Sequence, residues 1–110
     1  MRISSLAFVL ALASCEGTKG EAASGKLIAC ALDGSKAFEK VCTLERLGNQ
    51  MVIHRQGGGF RRFALGPEND IQPVDGADRT WVGGREDGLI TLEIADDRYL
   101  IEPGDIAVAP

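Results

Sequence analysis

The stretch LITLEIADDRYLI, residues 89–101, decides the fold of this chain. Its apolar and polar residues alternate, and this period of two is typical of a β-strand with one buried face. The apolar set is Ile90, Leu92 and Ile94, and the polar set is Thr91 and Glu93. Asp96-Asp97 is a turn signal, and a second short apolar run follows it. The stretch therefore predicts an antiparallel hairpin with strands at 89–95 and 98–102.

Strand patterning and turn signals extend over the whole of residues 26–110. Further strands are predicted at 26–32, 41–47, 50–55, 60–65, 71–74 and 79–82, with a last short piece at 105–108. One helical turn is predicted at residues 35–40, capped by Ser35 and with Phe38 packed inward. The pattern predicts an all-β fold, a single small antiparallel domain of about 7–9 short strands. Both a barrel and a sandwich would remove the sheet edges, and the sequence leaves the two open.

Residues 1–15 have a different pattern. Arg2 supplies a positive charge, and residues 6–13 (LAFVLALA) form an apolar run shorter than the about 20 residues that span a bilayer. The run ends in Leu12, Ala13, Ser14 and Cys15. This box resembles the lipobox of bacterial lipoprotein precursors, in which a signal peptidase cleaves before a cysteine whose thiol carries diacylglycerol. The alternatives are ordinary cleavage after Ala13, giving a soluble secreted protein, and an uncleaved apolar tail.

The lipobox resemblance implies an order of segments and a location. A signal helix would occupy residues 1–14, the lipidated Cys15 and a flexible tether residues 15–25, and the β-domain residues 26–110. Ten small and polar tether residues would span roughly 15–20 Å. The expected location is the cell envelope, facing the periplasm. Glu16 stands where, in the best-known sorting rule, an aspartate retains lipoproteins at the inner membrane, so the outer membrane is favoured.

The chain contains three cysteines, an odd number for an exported protein. If Cys15 carries lipid, Cys30 and Cys42 remain as a pair in an oxidising compartment, and we expect them to form a disulfide. A metal site of Cys30, Cys42 and His54 is the alternative. It lacks a close C-x-x-C pair and has too few ligands, so no metal is expected.

Charge limits the partners of the mature chain. The formal net charge is −4, and removal of residues 1–14 with Arg2 makes it −5. Nucleic-acid binders carry clustered basic surface, so no nucleic-acid partner is expected. Attachment to the membrane would depend on the N-terminal diacylglycerol lipid and further acyl chains.

The most distinctive stretch after the lipobox is RQGGGFRRF, residues 55–63. Arg55, Arg61 and Arg62 flank a glycine turn, and arginine pairs well with carboxylate or phosphate, so an anion-binding hairpin is one hypothesis. The simpler interpretation, which we favour, is a hairpin whose arginines pair with acidic neighbours such as Glu45. Strand alternation places Arg61 and Phe63 on one face, and Phe60 and Arg62 on the other.

No set of catalytic residues is recognisable. His54 is the single histidine and is more typical of a surface or half-buried strand position, because a catalytic base also needs a positioned partner. The acidic turns do not have the spacing of a calcium loop. Trp81 is expected in the core or at a barrel end. We therefore predict no enzyme activity and no cofactor.

Three functions remain as hypotheses. The first is an envelope lipoprotein whose β-domain binds another envelope component or has a structural role. The second is a periplasmic inhibitor, since length, anchor and disulfide are similar to those of membrane-bound lysozyme inhibitors and Thr80–Gly84 (TWVGG) resembles their tryptophan-containing stretch. Their Ser-Gly-x-x-Tyr loop is absent, so no inhibitory residue is transferred. The third, a hydrolase or small-molecule binder, is disfavoured by the small volume inside such a barrel.

Overall fold

The computed structural model describes residues 25–76 and 78–108. The lipobox Leu12, Ala13, Ser14 and Cys15, with the signal segment and residues 15–24 of the expected tether, lies outside the described residues. The described part is all-β, as predicted. Its strands are β1 (Lys26–Ala31), β2 (Glu39–Leu47), β3 (Gln50–Arg55), β4 (Phe60–Gly66), β5 (Asp70–Pro73), β6 (Thr80–Gly84), β7 (Ile90–Ile94) and β8 (Asp97–Ile101).

These strands form one antiparallel sheet that curls into a nearly closed barrel. The strand order is β5-β4-β3-β2-β1-β8-β7-β6. Every neighbour is consecutive in sequence except β1 and β8, which pair Cys30 with Tyr99 and Ala31 with Arg98. β5 and β6 are the two edges. This pairing settles the choice between barrel and sandwich in favour of the barrel.

The interior of the barrel is packed with the inward-facing half of each alternating pattern. Ladder partners such as Leu44 and Ile53, or Leu92 and Tyr99, bring these side chains into one layer. The main buried residues are Ile28, Cys42, Leu44, Met51, Ile53, Phe63, Leu65, Ile71, Ile90, Leu92, Ile94, Tyr99 and Ile101. Burial of each large aliphatic side chain contributes about 1.5–3 kcal/mol, so this core is the main source of stability.

The predicted disulfide joins β1 to β2. Cys30 and Cys42 are bonded and nearly inaccessible to solvent, with their Cα atoms 6.1 Å apart. The two cysteines are twelve positions apart in the sequence, so the bond closes a short loop. Loop closure of this length contributes about 3 kcal/mol in the chain-entropy model, which is substantial for so small a core.

One end of the barrel, where β1 begins, is closed by the C-terminal segment; we call it the closed end. A 3₁₀ turn at Pro103–Asp105 crosses it and places Ile106 in the core. Arg46 donates to the carbonyl oxygens of Asp105 (3.0 Å) and Ala107 (2.8 Å). Lys26 pairs with Asp105 at 3.0 Å. The carbonyl oxygens of Asp105 and Ala107 thus accept hydrogen bonds from an arginine side chain and not from a neighbouring strand. The strand predicted at 105–108 is therefore wrong.

The helical turn predicted at 35–40 is also wrong. Ser35 bonds locally with Ala37, while Glu39 and the residue after it extend β2 and reach Cys30 on β1. The ladder therefore takes the residues that a helical turn would need. The described residues contain no helix long and apolar enough to cross a membrane.

Candidate functional site

The end of the barrel opposite the 3₁₀ turn, which we call the open end, carries the polar residues of the interior. It is formed by the end of β3, the beginnings of β4 and β8, and the turn between β1 and β2. Strand alternation places Arg55 and Arg61 on the inner face, in ladder positions opposite Cys42 and Ile53. On β8, the first residue, Asp97, also faces inward at this end of the barrel.

Asp97 is the one buried charged residue in the described part of the chain, with 3% of its surface exposed. Its Oδ2 accepts hydrogen bonds from Arg61 Nε at 3.1 Å and from the Tyr99 hydroxyl at 3.4 Å. Nη2 of the same arginine lies 3.1 Å from this oxygen and completes the ion pair. Its Oδ1 accepts the backbone N–H of Asp33 at 2.9 Å. Burial of a carboxylate is costly unless it is paired and hydrogen-bonded, and these donors meet that requirement.

The electrostatics of the cluster follow from this packing. Burial lowers the pKa of Arg61, but the hydrogen bond to Asp97 and the nearby negative charge raise it, and the net shift is upward. Burial, and then the negative charge of Asp97, raise the pKa of Tyr99 from 10.0 to about 12. The guanidinium therefore stays charged and the phenol stays neutral at physiological pH.

A second ion pair lies at the rim of the open end. Arg55 Nη2 donates to Asp33 Oδ2 at 2.6 Å, and two thirds of the Arg55 side chain is shielded from solvent. Asp33 thus connects the two ion pairs. Its carboxylate accepts from Arg55, and its backbone N–H donates to Asp97, the partner of Arg61. The pairing of arginines with acidic residues is as we favoured, but the partners of Arg55 and Arg61 are Asp33 and Asp97. Glu45 contacts His54 Nε2 at 3.3 Å.

The structure separates the third arginine from the other two. Arg62 lies on the outer face of β4, with its guanidinium carbon 5.6 Å from the centre of the Phe60 ring. Phe60 is 52% exposed and lies 6.0 Å from the ring of half-buried His54. The predicted alternation of residues 60–63 is therefore confirmed, and the hairpin presents an aromatic ring between an inner and an outer guanidinium.

Phe60 forms the wall of an open cleft of about 180 Å³ at the open end. The cleft is lined by Ile53, Arg55, Gly59, Phe60, Arg61, Asp97 and Tyr99. On the other side of the ring is a smaller cleft of about 90 Å³ that includes Arg62 and Asp75. Small-molecule pockets usually have volumes of about 300–1,000 Å³, so neither cleft encloses a ligand of ordinary size.

Asp97 is the site residue that sequence reasoning missed. The sequence pattern predicts a turn at Asp96-Asp97, whereas the turn is at Ala95-Asp96 and Asp97 is the first residue of β8, opposite Ile94. A signal for this was present in the sequence, because Asp97, Tyr99 and Ile101 share the inward parity of the strand.

Trp81 is 57% exposed on the outer face of β6, so the core, one of its two expected places, is wrong. It is the second residue of that strand, whose first residue, Thr80, lies opposite Ile94. A Cβ atom on Gly83 would collide with the Trp81 ring, which shows that the ring packs over this glycine. Within residues 25–76 and 78–108, no three His, Cys, Asp or Glu side chains lie close enough together to hold a metal ion.

The open end combines fixed guanidinium groups with an exposed aromatic ring. Arg61 pairs with Asp97 through one edge of its guanidinium, and about a third of its side chain is exposed, so N–H donors remain for another acceptor. Such a set is suited to binding and orienting a polar group rather than to attacking one. No family model, no curated protein and no solved structure matches this chain.

Proposed function

We propose that this protein is a lipid-anchored binding module of the bacterial cell envelope, and that its open end recognises a protein partner. The anchor is supported by the lipobox-like residues Leu12-Ala13-Ser14-Cys15. It is also supported by the cysteine count, because Cys30 and Cys42 are bonded to each other and Cys15 is the remaining cysteine.

The observation that carries the binding proposal is the exposure of Phe60 among three arginines. Half of the surface of this residue is accessible, with the guanidinium of Arg62 against one side of the ring and the cleft with Arg55 and Arg61 beside it. Aromatic and arginine side chains are the types most enriched at the energetic centres of protein interfaces. The clefts beside Phe60 are small, about 180 and 90 Å³, which favours a protein surface over a small molecule.

The ion pairs make this surface rigid before a partner arrives. Arg55 and Arg61 are fixed by Asp33 and Asp97, so little side-chain entropy remains to be lost when they bind. The two arginines and two carboxylates also cancel in charge. The inner wall of the cleft therefore offers directed N–H donors without a net positive charge, which suits backbone carbonyl, amide or carboxylate acceptors of a partner loop.

The anchor is tested by fractionation of cells that express the wild-type protein or Cys15→Ser. We expect wild-type protein in the membrane fraction and the variant in the soluble envelope fraction, because the thiol is the acyl acceptor. Cys30→Ser with Cys42→Ser is the matched control, since it removes two cysteines without touching the lipobox. Unchanged partitioning of Cys15→Ser would rule out the anchor.

The recognition surface is tested by placing a photo-crosslinking amino acid at Phe60 in the native host. We expect a discrete adduct at Phe60 and none at Gln50, an exposed residue of β3 at the closed end. Mass spectrometry of the adduct identifies the partner, and a lysozyme there would select the inhibitor hypothesis. Identical adducts at both positions, or none at either, would rule out the open end as the binding surface.

A further inference from the structure

The barrel has an open seam between its edge strands β5 and β6. The two strands are the ends of the sheet order and share no ladder pairing. In the described residues, one hydrogen bond from a side chain to the backbone crosses the seam: Thr80 Oγ1 donates to the carbonyl oxygen of Ile71 at 2.6 Å. Towards the C-terminal end of β6, Val82 lines the same space as the turn that precedes β5, and Gly84 lies beyond it.

The C-terminal half of β6 presents unpaired backbone groups to this seam. In an antiparallel ladder, residues alternate between those that exchange hydrogen bonds with the partner strand and those that do not. Arg85 N–H donates to Leu89 at 2.9 Å, so Gly84, one residue earlier, and then Val82 have their N–H and C=O groups directed away from β7. No hydrogen bond from the described residues reaches these groups across the seam.

A groove of about 510 Å³ lies along this edge. One wall is the turn and strand at residues 67–72, and the other is β6 at Thr80 and Val82. Two of the lining side chains, Glu68 and Asp70, are acidic and none is basic. Asp70 also holds the Gln72 side chain at 2.8 Å. The groove therefore combines a free strand edge with a negative rim.

We propose that this groove binds a short, extended, basic peptide segment of another protein as an added strand on β6. Val82 and Gly84 supply the backbone hydrogen bonds, which is the usual basis of strand addition to a sheet edge. Gly84 carries no side chain to oppose the approach, and a Cβ atom there would meet only open space. Apolar side chains of the segment face inward towards Val82, and basic ones face outward.

Charge and the chemistry of the two edge strands select this occupant. Glu68 and Asp70 attract a cationic segment, and the exposed Trp81 ring on the outer face of β6 offers a cation–π contact to the same side chains. β5 is the weaker edge, because Pro73 has no N–H to donate. A second copy of this chain is disfavoured, since its formal charge of −4 would meet the same acidic rim. The groove shares no residue with the cleft at the open end, so the two proposals stand separately.

The test is a titration of the full-length protein, purified in a non-ionic detergent, with a blocked hexapeptide of alternating lysine and valine. Trp81, the single tryptophan, reports binding through its fluorescence. The glutamate–valine hexapeptide is the charge control. Glu68→Lys tests the rim, and Glu39→Lys is the matched control, because Glu39 is also exposed but lies at the start of β2. Amide shifts from a ¹⁵N-labelled sample locate the contact.

We expect a saturable signal with the lysine peptide, at least tenfold weaker binding in Glu68→Lys, and less than a twofold change in Glu39→Lys. The largest amide shifts should fall at Val82 and Gly84. No saturation, equal affinity for the glutamate peptide, or shifts centred on the open end would each overturn the proposal. So would concentration-dependent dimerisation that produces the same shifts without peptide, since it would identify a second copy as the occupant.

Discussion

Replacement of Arg61 by methionine removes the cation that the described structure places on the buried carboxylate of Asp97. The remaining donors to Asp97 are the Asp33 N–H at 2.9 Å and the Tyr99 hydroxyl at 3.4 Å. Loss of one partner from a buried pair costs about 3–5 kcal/mol, because the other charge stays buried without compensation. We expect about 3 kcal/mol here, since a third of the Arg61 side chain is exposed and solvent screens that half of the pair.

The reverse change should cost less. Asp97→Asn keeps the shape of the side chain and an oxygen for the Asp33 N–H, while Arg61 is exposed enough to be solvated. We expect a loss of about 1.5 kcal/mol, the usual value for one hydrogen bond to a charged group. In the double variant, Asp97 is already a neutral asparagine, so replacing Arg61 by methionine no longer leaves an unpaired carboxylate in the interior. The two losses should therefore fall short of additivity by about 1.5 kcal/mol or more.

Urea unfolding followed by far-ultraviolet circular dichroism measures each free energy. Arg98→Met is the matched control, because Arg98 adjoins Tyr99 in the sequence but lies on the outer face, where it donates to the Ser35 carbonyl and covers the Phe38 ring. We expect it to cost less than half as much as Arg61→Met. A loss below about 1 kcal/mol for Arg61→Met, or additive losses in the cycle, would refute the buried pair.

Three further predictions concern other parts of the barrel. The tyrosinate absorbance of Tyr99, the single tyrosine, should titrate near pH 12 in the folded protein and near 10 in urea. The free energy of unfolding should therefore keep the full contribution of the protonated phenol below pH 10 and fall by about 2–3 kcal/mol towards pH 12. Equal midpoints in the two titrations would contradict this. Reduction of the disulfide, or Cys30→Ala with Cys42→Ala, should cost about 3 kcal/mol in urea unfolding, and an unchanged midpoint would contradict its placement between β1 and β2. Gly83→Ala should displace the Trp81 ring and shift its emission towards that of fully exposed tryptophan, whereas an unchanged spectrum would contradict the packing of the ring over this glycine.

Much of the fold follows from local sequence. Alternation located every strand of the described residues to within two residues at either end, because a half-buried strand must repeat with a period of two. The wrong assignments are those decided by distant contacts. The segment at 105–108 is held by Arg46 of β2, and the segment at 35–40 by its pairing with β1. Closure of the barrel likewise depends on β1 and β8, whose pairing residues are far apart in the sequence.

The candidate site was predicted in part for the same reason. The arginine hairpin and the inward direction of Arg61 follow from residue type and parity. Its partner Asp97 belongs to another hairpin, and the boundary of β8 had to be known to within one residue before parity could place it inside. The pairing of Arg55 with Asp33 needs the three-dimensional path of a turn, which sequence patterning does not specify.

The seam leaves the diameter of the barrel without the constraint of a closed ladder. In a closed barrel, strand number and stagger fix the width. Here the ring of backbone hydrogen bonds is interrupted between β5 and β6, and contacts between side chains and across the interior, such as Arg61 with Asp97, limit the opening. We therefore expect substitutions of these side chains alone to widen or narrow the ring, without adding or removing a strand.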